Sequence, residues 1–510
     1  MTIYIFNLLA GYAISGVEYA QGFRASMLNN FSLPVRFVFT ELPARLDIGR
    51  YEKIGIDVKQ MISMHHYLSD HSVLEFTQKT ENKLEELKES LHYTNIIYQE
   101  TEIRLIKDDF TIASILLEET NKDRFYGIHY FSRGKLIRTE YYTSGIAYAD
   151  YYVTAKSDEG LYAKLVRRAF YKRDGSVIYE QIWKENEERY LFPDGRLWTK
   201  SQIVAEFVKM LHLSEKDIVF LDRGAQFDFV QPLFQFGGKA RFMTFFHSGH
   251  YFEKGEDPWH YLYLNWEYYY WFKYSHKIDT MIVSTQGQKE ELIKKLQEYQ
   301  CNVPQIAVIP ASGIERLRYP EAERKKYSMI SVSRFDEKKK IDWVIRSVIK
   351  AHQKNPCVFI DIYGRGEGKY FRYLQDIVSE NHARSYVRFM GFMDVTEVYK
   401  NYEVYISASL GETLGLSILE AAGSGVAMIG LDVKYGNRLF IQPEKNGYLI
   451  DYDRKYIEED DSALIDEMAE KIVEIFADGE RLEAFHRASY EIARDFSNEI
   501  IAEKWRRLLT

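Results

Sequence analysis

The sequence predicts an α/β protein of two doubly wound domains in series, with an antiparallel β-meander inserted into the first. Three observations carry this. The chain opens strand, glycine loop, helix, strand, which starts a βαβ unit. Between residues 133 and 195, glycine turns recur among β-rich runs. From Met329 onward, five short apolar runs alternate with helical stretches.

The first strand is Thr2 to Phe6, followed by a loop holding Gly11 and Gly16. A helix follows with Val17, Ala20, Phe23 and Met27 on one face, then a strand from Val35 to Thr40. A charged helix is expected over roughly Leu74 to Leu91. Beyond it, Arg133-Gly134, Glu159-Gly160, Asp174-Gly175 and Asp194-Gly195 punctuate strands such as Leu136–Tyr142 and Ser176–Trp183. The βα alternation returns with a helix near Ser201–His212 and strands at Ile218–Leu221, Arg241–Phe245, Thr280–Val283 and Ile306–Ile309. Pro310 ends that series. The second runs through Met329–Val332, Val358–Tyr363, Val387–Met390, Val404–Ile406 and Val426–Ile429 to a charged helical tail, Asp461–Leu509. The expected domains are 1–75 and 199–311 for the first α/β domain, 76–198 for the meander and 312–510 for the second α/β domain. The C-terminal helix is expected to pack back on the N-terminal domain.

Composition bounds the function. A chain of 510 residues exceeds one ordinary domain. The net charge of −8 disfavours nucleic acid as a general partner. Cys301 and Cys357 have no metal or disulfide spacing, and two lone thiols suggest a reducing compartment. The N-terminus lacks the basic head of a signal peptide, and no run reaches membrane-span length. A cytoplasmic location is expected, with peripheral attachment to the inner membrane face left open. The 40 tyrosines exceed ordinary core needs and suit sugars or polypeptide partners.

In open α/β sheets, ligands sit beyond the carboxyl ends of strands. Five motifs lie there. The loop Gly11–Gly16, leading into Gly16-Val17-Glu18-Tyr19, can bring backbone N–H groups and a helix N-terminus to an anion; it can equally be a tight turn. Arg334 and Lys339, spaced Arg-x4-Lys after a strand, can converge on a diphosphate, although a generic basic run is more often solvated surface. Glu412 and Glu420, spaced Glu-x7-Glu around a helix start, can accept hydrogen bonds from sugar hydroxyls, or can be solvated acids of a capped helix. His247 and His250 follow a strand in Phe245–Tyr251 and can donate to a sugar or move a proton; no third ligand supports zinc. Tyr363-Gly-Arg-Gly-Glu-Gly368 is a further close-approach loop, weak alone.

In this order the motifs resemble glycosyltransferase family 4 of the GT-B fold, in which two Rossmann-like domains face a cleft. Met1-Thr-Ile-Tyr, Ser15-Gly-Val-Glu-Tyr-Ala-Gln21 and Arg24-Ala25, with the meander, are similar to the GtfA-subunit family of accessory-Sec O-GlcNAc transferases. The resemblance implies a retaining, metal-independent transfer from UDP-GlcNAc, or UDP-glucose, to Ser/Thr of a serine-rich repeat adhesin. It implies no cofactor and a GtfB-like partner subunit. By the same resemblance, Gly16, Val17, Glu18 and Tyr19 line the UDP site and His247 meets the donor sugar. Arg334 and Lys339 hold the diphosphate, Gly391 and Phe392 meet the uracil, and Glu420 holds the ribose. Glu412, Thr413, Leu414 and Gly415 hold the hexose. Thr413-Leu414 replaces the family's Gly-Phe, which leaves GlcNAc against glucose open. Two other readings remain: a wall teichoic acid (polyribitol phosphate) α-GlcNAc transferase and a non-catalytic GT-B subunit.

Overall fold

The computed structural model describes residues 1–7, 16–43, 51–72, 77–118, 121–158, 160–184, 187–222, 227–251, 264–366, 368–453 and 460–509. The glycine loop from Gly11 to Ser15, the expected helix start at Leu74 and the turn residue Glu159 lie outside them.

Three sheets organise the chain. A seven-stranded sheet has the order Gln305–Val308, Thr280–Val283, Arg241–Phe245, Ile218–Leu221, Ile3–Asn7, Val35–Phe39, Met61–Ser63. Its order reverses between Ile3–Asn7 and Ile218–Leu221, which pair in parallel. A ten-stranded sheet runs strand by strand from Asn95–Tyr98 to Leu197–Thr199, every described pair antiparallel. A six-stranded parallel sheet has the order Val387–Gly391, Phe359–Tyr363, Ser328–Val332, Val404–Ser407, Ala427–Leu431, Gly447–Ile450.

The α/β class and the inserted antiparallel sheet are those the sequence predicts. Arg133 and Gly134 take φ of 49° and 74°, the positive values a two-residue hairpin needs. The charged helix is Thr80–Leu91, and the helix after the meander is Lys200–Met210. The short strands Met61–Ser63 and Gly447–Ile450 went unread: three or four residues are too few to show a period.

By contact density the chain divides into two compact units: Met1–Glu18, Leu28–Met243 and Tyr269–Lys277 form one, and Tyr19–Met27, Thr244–Tyr268 and Ile278–Thr510 the other. In the first, the ten-stranded sheet is bonded to the segment around Met64–Leu68. His65 Nδ1 lies 2.8 Å from the Tyr179 hydroxyl, and its ring stacks on Phe170 at 4.6 Å. His71 Nδ1 lies 2.6 Å from Thr143 Oγ1. The strand Leu197–Thr199 passes directly into Lys200–Met210, whose N-cap Thr199 forms a capping box with Gln202.

In the second unit, the faces of the six-stranded sheet are apolar and covered. Ile330, Ile360, Ile362, Val404, Ile406 and Ile429 are essentially inaccessible. The C-terminal helix Asn498–Leu509 buries Trp505, and the Arg24 guanidinium lies 5.7 Å from its ring. No helix among the described residues is long and apolar enough to cross a membrane.

Candidate active site

The six-stranded sheet reverses its order between Ser328–Val332 and Val404–Ser407. Such a reversal is where open α/β sheets hold their ligands, beyond the carboxyl ends of the strands. The loops leaving it carry Arg334 and Lys339 on one side and Ser409 and Glu412 on the other. At the reversal in the seven-stranded sheet, the corresponding loops, 8–15 and 223–226, lie outside the described residues.

Lys339 and Glu412 meet. Lys339 Nζ donates to Glu412 Oε1 at 2.6 Å and to Ser409 Oγ at 3.2 Å. Both side chains are mostly buried, with 19% and 18% of their surfaces exposed, so the pair feels less solvent screening than a surface pair. A short 3₁₀ turn, Glu337–Lys339, sets the lysine; Asp336 caps it and Lys340 closes it in a left-handed conformation at φ 45°. Lys338 O accepts from Leu410 N at 2.9 Å, tying the two loops together. Arg334 is not part of this pair. Its side chain is 78% exposed, and its guanidinium lies 3.4 Å from Asp336 Oδ2.

Two glycines of the 363–368 segment, Gly364 and Gly366, serve the Arg334 loop. A Cβ on Gly364 would stand 1.8 Å from Ser333 O, and one on Gly366 would stand 2.3 Å from Phe335 Cβ. Phe335 N donates to Arg365 O at 2.9 Å. Here close backbone approach is protein against protein.

Gly415, at φ 79°, caps the helix Leu416–Gly423. That helix directs its first-turn N–H groups and positive dipole end toward the Glu412 loop. Leu414 is buried in the core beside Ile418. Its side chain is therefore committed to packing, and the residue can offer a ligand only its backbone. Thr413 is half-buried. Glu420, one turn into the helix, accepts from the Tyr399 hydroxyl at 3.0 Å. Burial pushes its carboxyl above the ordinary range, against the lowering effects of Tyr399 and Arg318.

Gly391 takes φ 79° with open space at its Cβ, and Phe392 is 75% exposed. Gly364 N donates to Gly391 O, so this loop abuts Gly364, which in turn packs against Ser333 O. Gly16 to Tyr19 open the helix Gly16–Asn30; Tyr19 is exposed and the Glu18 side chain is buried in the first turn. His247 follows the strand Arg241–Phe245 and stacks on Phe245 at 4.4 Å. His250 is fully buried; burial pushes it down to about 4, with the charge of Glu291 opposing.

One cluster escaped the sequence. Glu291, on the helix Gln286–Glu298, accepts at Oε2 from the Tyr251 hydroxyl at 2.6 Å and the Tyr435 hydroxyl at 2.7 Å. Its Oε1 lies 3.0 Å from Lys434 Nζ. Burial raises this carboxyl, but the three donors outweigh it and hold it below the ordinary range. Tyr251 ends the quoted histidine motif. Glu291 lies in a charged helix and had no local signal.

The family "Glycosyl transferases group 1" matches residues 326–478, and "GtfA extended beta-sheet domain" matches residues 96–194. The GtfA subunit of the UDP-N-acetylglucosamine–peptide N-acetylglucosaminyltransferase of Streptococcus gordonii is 34% identical over 100% of this chain and 98% of its own length. The chain belongs to the GtfA-subunit family. Solved GtfA structures agree. The pneumococcal O-GlcNAc transferase GtfA, in complex with UDP and GlcNAc, aligns at a TM-score of 0.83 and 32% identity, covering 100% of this chain and 98% of that one. A GtfA/B complex aligns at 0.86 and 32% identity, covering 100% and 99%. This GtfA-family chain thus has the GT-B fold with its inserted sheet.

Proposed function

We propose that this chain is a glycosyltransferase that moves GlcNAc from UDP-GlcNAc to a peptide hydroxyl, as the GtfA subunits it resembles are named for doing. The observation that carries the reading is the Lys339–Glu412 pair at the strand-order reversal. It sets a cation suited to a diphosphate beside a carboxylate suited to sugar hydroxyls, at a helix N-terminus. The full-length likeness to peptide transferases favours a polypeptide acceptor over polyribitol phosphate. The cation–acid pair favours an enzyme over a silent subunit.

In this reading Arg334 and Lys339 neutralise the charge that grows on the departing diphosphate. Glu412 and the backbone of Thr413 to Gly415 hold the hexose, His247 donates to it, and Glu420 accepts from the ribose. Phe392 and Gly391 meet the uracil, and Gly16 to Tyr19 complete the UDP site. The acceptor oxygen bonds to the anomeric carbon as the sugar–phosphate bond breaks on the same face. The acceptor proton passes to the leaving diphosphate oxygen, so configuration is retained and neither a metal nor a protein base is needed. The acceptor is a Ser/Thr-rich adhesin segment, and a GtfB-like subunit is the partner, as in the GtfA/B complex. The setting is the cytoplasm.

Mass spectrometry of a Ser/Thr-rich peptide incubated with the chain and UDP-GlcNAc tests this. One N-acetylhexosamine per modified hydroxyl is expected. A hexose added only from UDP-glucose overturns the donor, and UDP release without peptide modification, with the partner present, overturns the acceptor.

A further inference from the structure

The carboxylate of Glu291 joins two loops that are remote in sequence. On one side is Tyr251, which ends the loop carrying His247. The same helix grips that loop twice: Gln288 Nε2 donates to Ser248 O at 3.1 Å and to Phe246 O at 3.5 Å. On the other side is Tyr435. Its backbone is strained, at φ 73° and ψ −103°, a conformation side-chain-bearing residues avoid unless held. A hydrogen bond and a close backbone approach hold it. Gly436 N donates to Glu412 O at 2.7 Å, and a Cβ on Gly436 would stand 2.4 Å from Leu414 O. The Lys434–Gly436 segment is therefore pressed against the loop that carries Glu412 to Gly415.

The tyrosines are stiff, with the hydroxyl at the end of a ring. Both hydroxyls end on Oε2 of Glu291, and Lys434 Nζ bonds Oε1 and also the Tyr251 hydroxyl, at 3.0 and 2.7 Å. The carboxylate therefore fixes the distance between Tyr251 and Tyr435, and through them the spacing of the His247 loop and the Glu412 loop.

We infer that Glu291 is a positioning residue for the transfer: with Tyr251, Tyr435 and Lys434 it clamps the His247 loop against the hexose-holding loop, Glu412 to Gly415. This rests on the proposed roles of His247 and Glu412 toward the donor sugar. Glu291 itself touches neither nucleotide nor sugar. Its loss lets the His247 loop drift from the Glu412 loop, which Lys339 still holds, while the uracil, ribose and diphosphate contacts stay in place.

The test uses the full-length chain. Glu291→Gln, Tyr251→Phe and Tyr435→Phe are compared with wild type and with Glu290→Gln, an exposed control on the same helix. Donor turnover gives kcat and KM for UDP-GlcNAc, and calorimetry gives the affinity for UDP alone. Glu291→Gln is expected to lower kcat about tenfold or more, as sub-ångström misplacement does, with UDP affinity within about twofold of wild type. Tyr435→Phe, which keeps the ring, should show the same split, and Glu290→Gln should match wild type. Wild-type kcat in both Glu291→Gln and Tyr435→Phe overturns the clamp. So does a loss of UDP affinity in proportion to kcat. Amide hydrogen exchange separates this idea from the assigned function. Faster exchange in both 245–251 and 433–437 in Glu291→Gln supports the clamp even if UDP-GlcNAc is not turned over. Unchanged exchange in either segment overturns it.

Discussion

Lys339 Nζ stands 2.6 Å from Glu412 Oε1, so the cation assigned to the diphosphate and the acid assigned to the hexose are one ion pair. Neither can be altered without leaving the other partly buried and uncompensated.

Lys339→Met is expected to lower kcat about 10²–10³-fold, the usual cost of removing one charge-stabilising donor, with an unchanged circular dichroism spectrum. The double variant Lys339→Met/Glu412→Gln should lose less than the product of the single losses. Steady-state kinetics of the four proteins checks both statements, and strict multiplicativity would separate the two roles.

Glu420 supplies a pH signature. In the role proposed for it, accepting from ribose hydroxyls, it must be deprotonated, and burial has moved its carboxyl above its ordinary 4.5. UDP affinity should therefore weaken in acid beginning above pH 4.5. Glu420→Gln should bind more weakly but with that limb flattened. Calorimetric titration with UDP across the acid range measures the difference.

Gly364→Ala should destabilise the chain by roughly 2–5 kcal/mol, from overpacking and a backbone at φ 149°. The added methyl pushes on Ser333 O, so the Arg334 loop should move too. A lowered unfolding midpoint with weakened UDP binding is expected. Wild-type denaturant stability would show that the Ser333 backbone yields freely.

Stability should fall in acid through buried histidines. Burial pushes His66 and His250 down to about 4 from 6.5. Each takes up its proton more readily when unfolded, so its stabilising share is full above about pH 6.5 and lost as the pH falls toward about 4. That share is at most about 3 kcal/mol per histidine. Denaturant midpoints between pH 7 and 4 should drop in wild type and drop less steeply in His250→Gln.

The strands of the second α/β domain were readable because apolar runs of four or five residues alternate with amphipathic helices such as Ile341–Lys354. The meander was readable because its turns need Gly at positive φ, as at Gly134, Gly175 and Gly195. Lys339 and Glu412 were legible singly, each just after a strand, and only the sheet order brings them together. Glu291 was not legible. Its partners lie 40 residues upstream and more than 140 downstream, and no spacing rule links a helix acid to two remote tyrosines. Leu414 reads as a pocket residue from its motif, yet its side chain sits against Ile418 in the core.

The bonding of His65 and His71 to Tyr179 and Thr143, with a strand that runs without linker into a capped helix, governs how the meander can change. It is an insertion by chain order but a graft that has taken root. Cutting it out would strip the cover from His65, an aromatic ring with 2% exposure and a costly nitrogen to leave unpaired. A chimera that exchanges this sheet between relatives must therefore carry the histidine segment with it. Divergence of the sheet is free to proceed on its outer surface and far strands, while the root is inherited as a block.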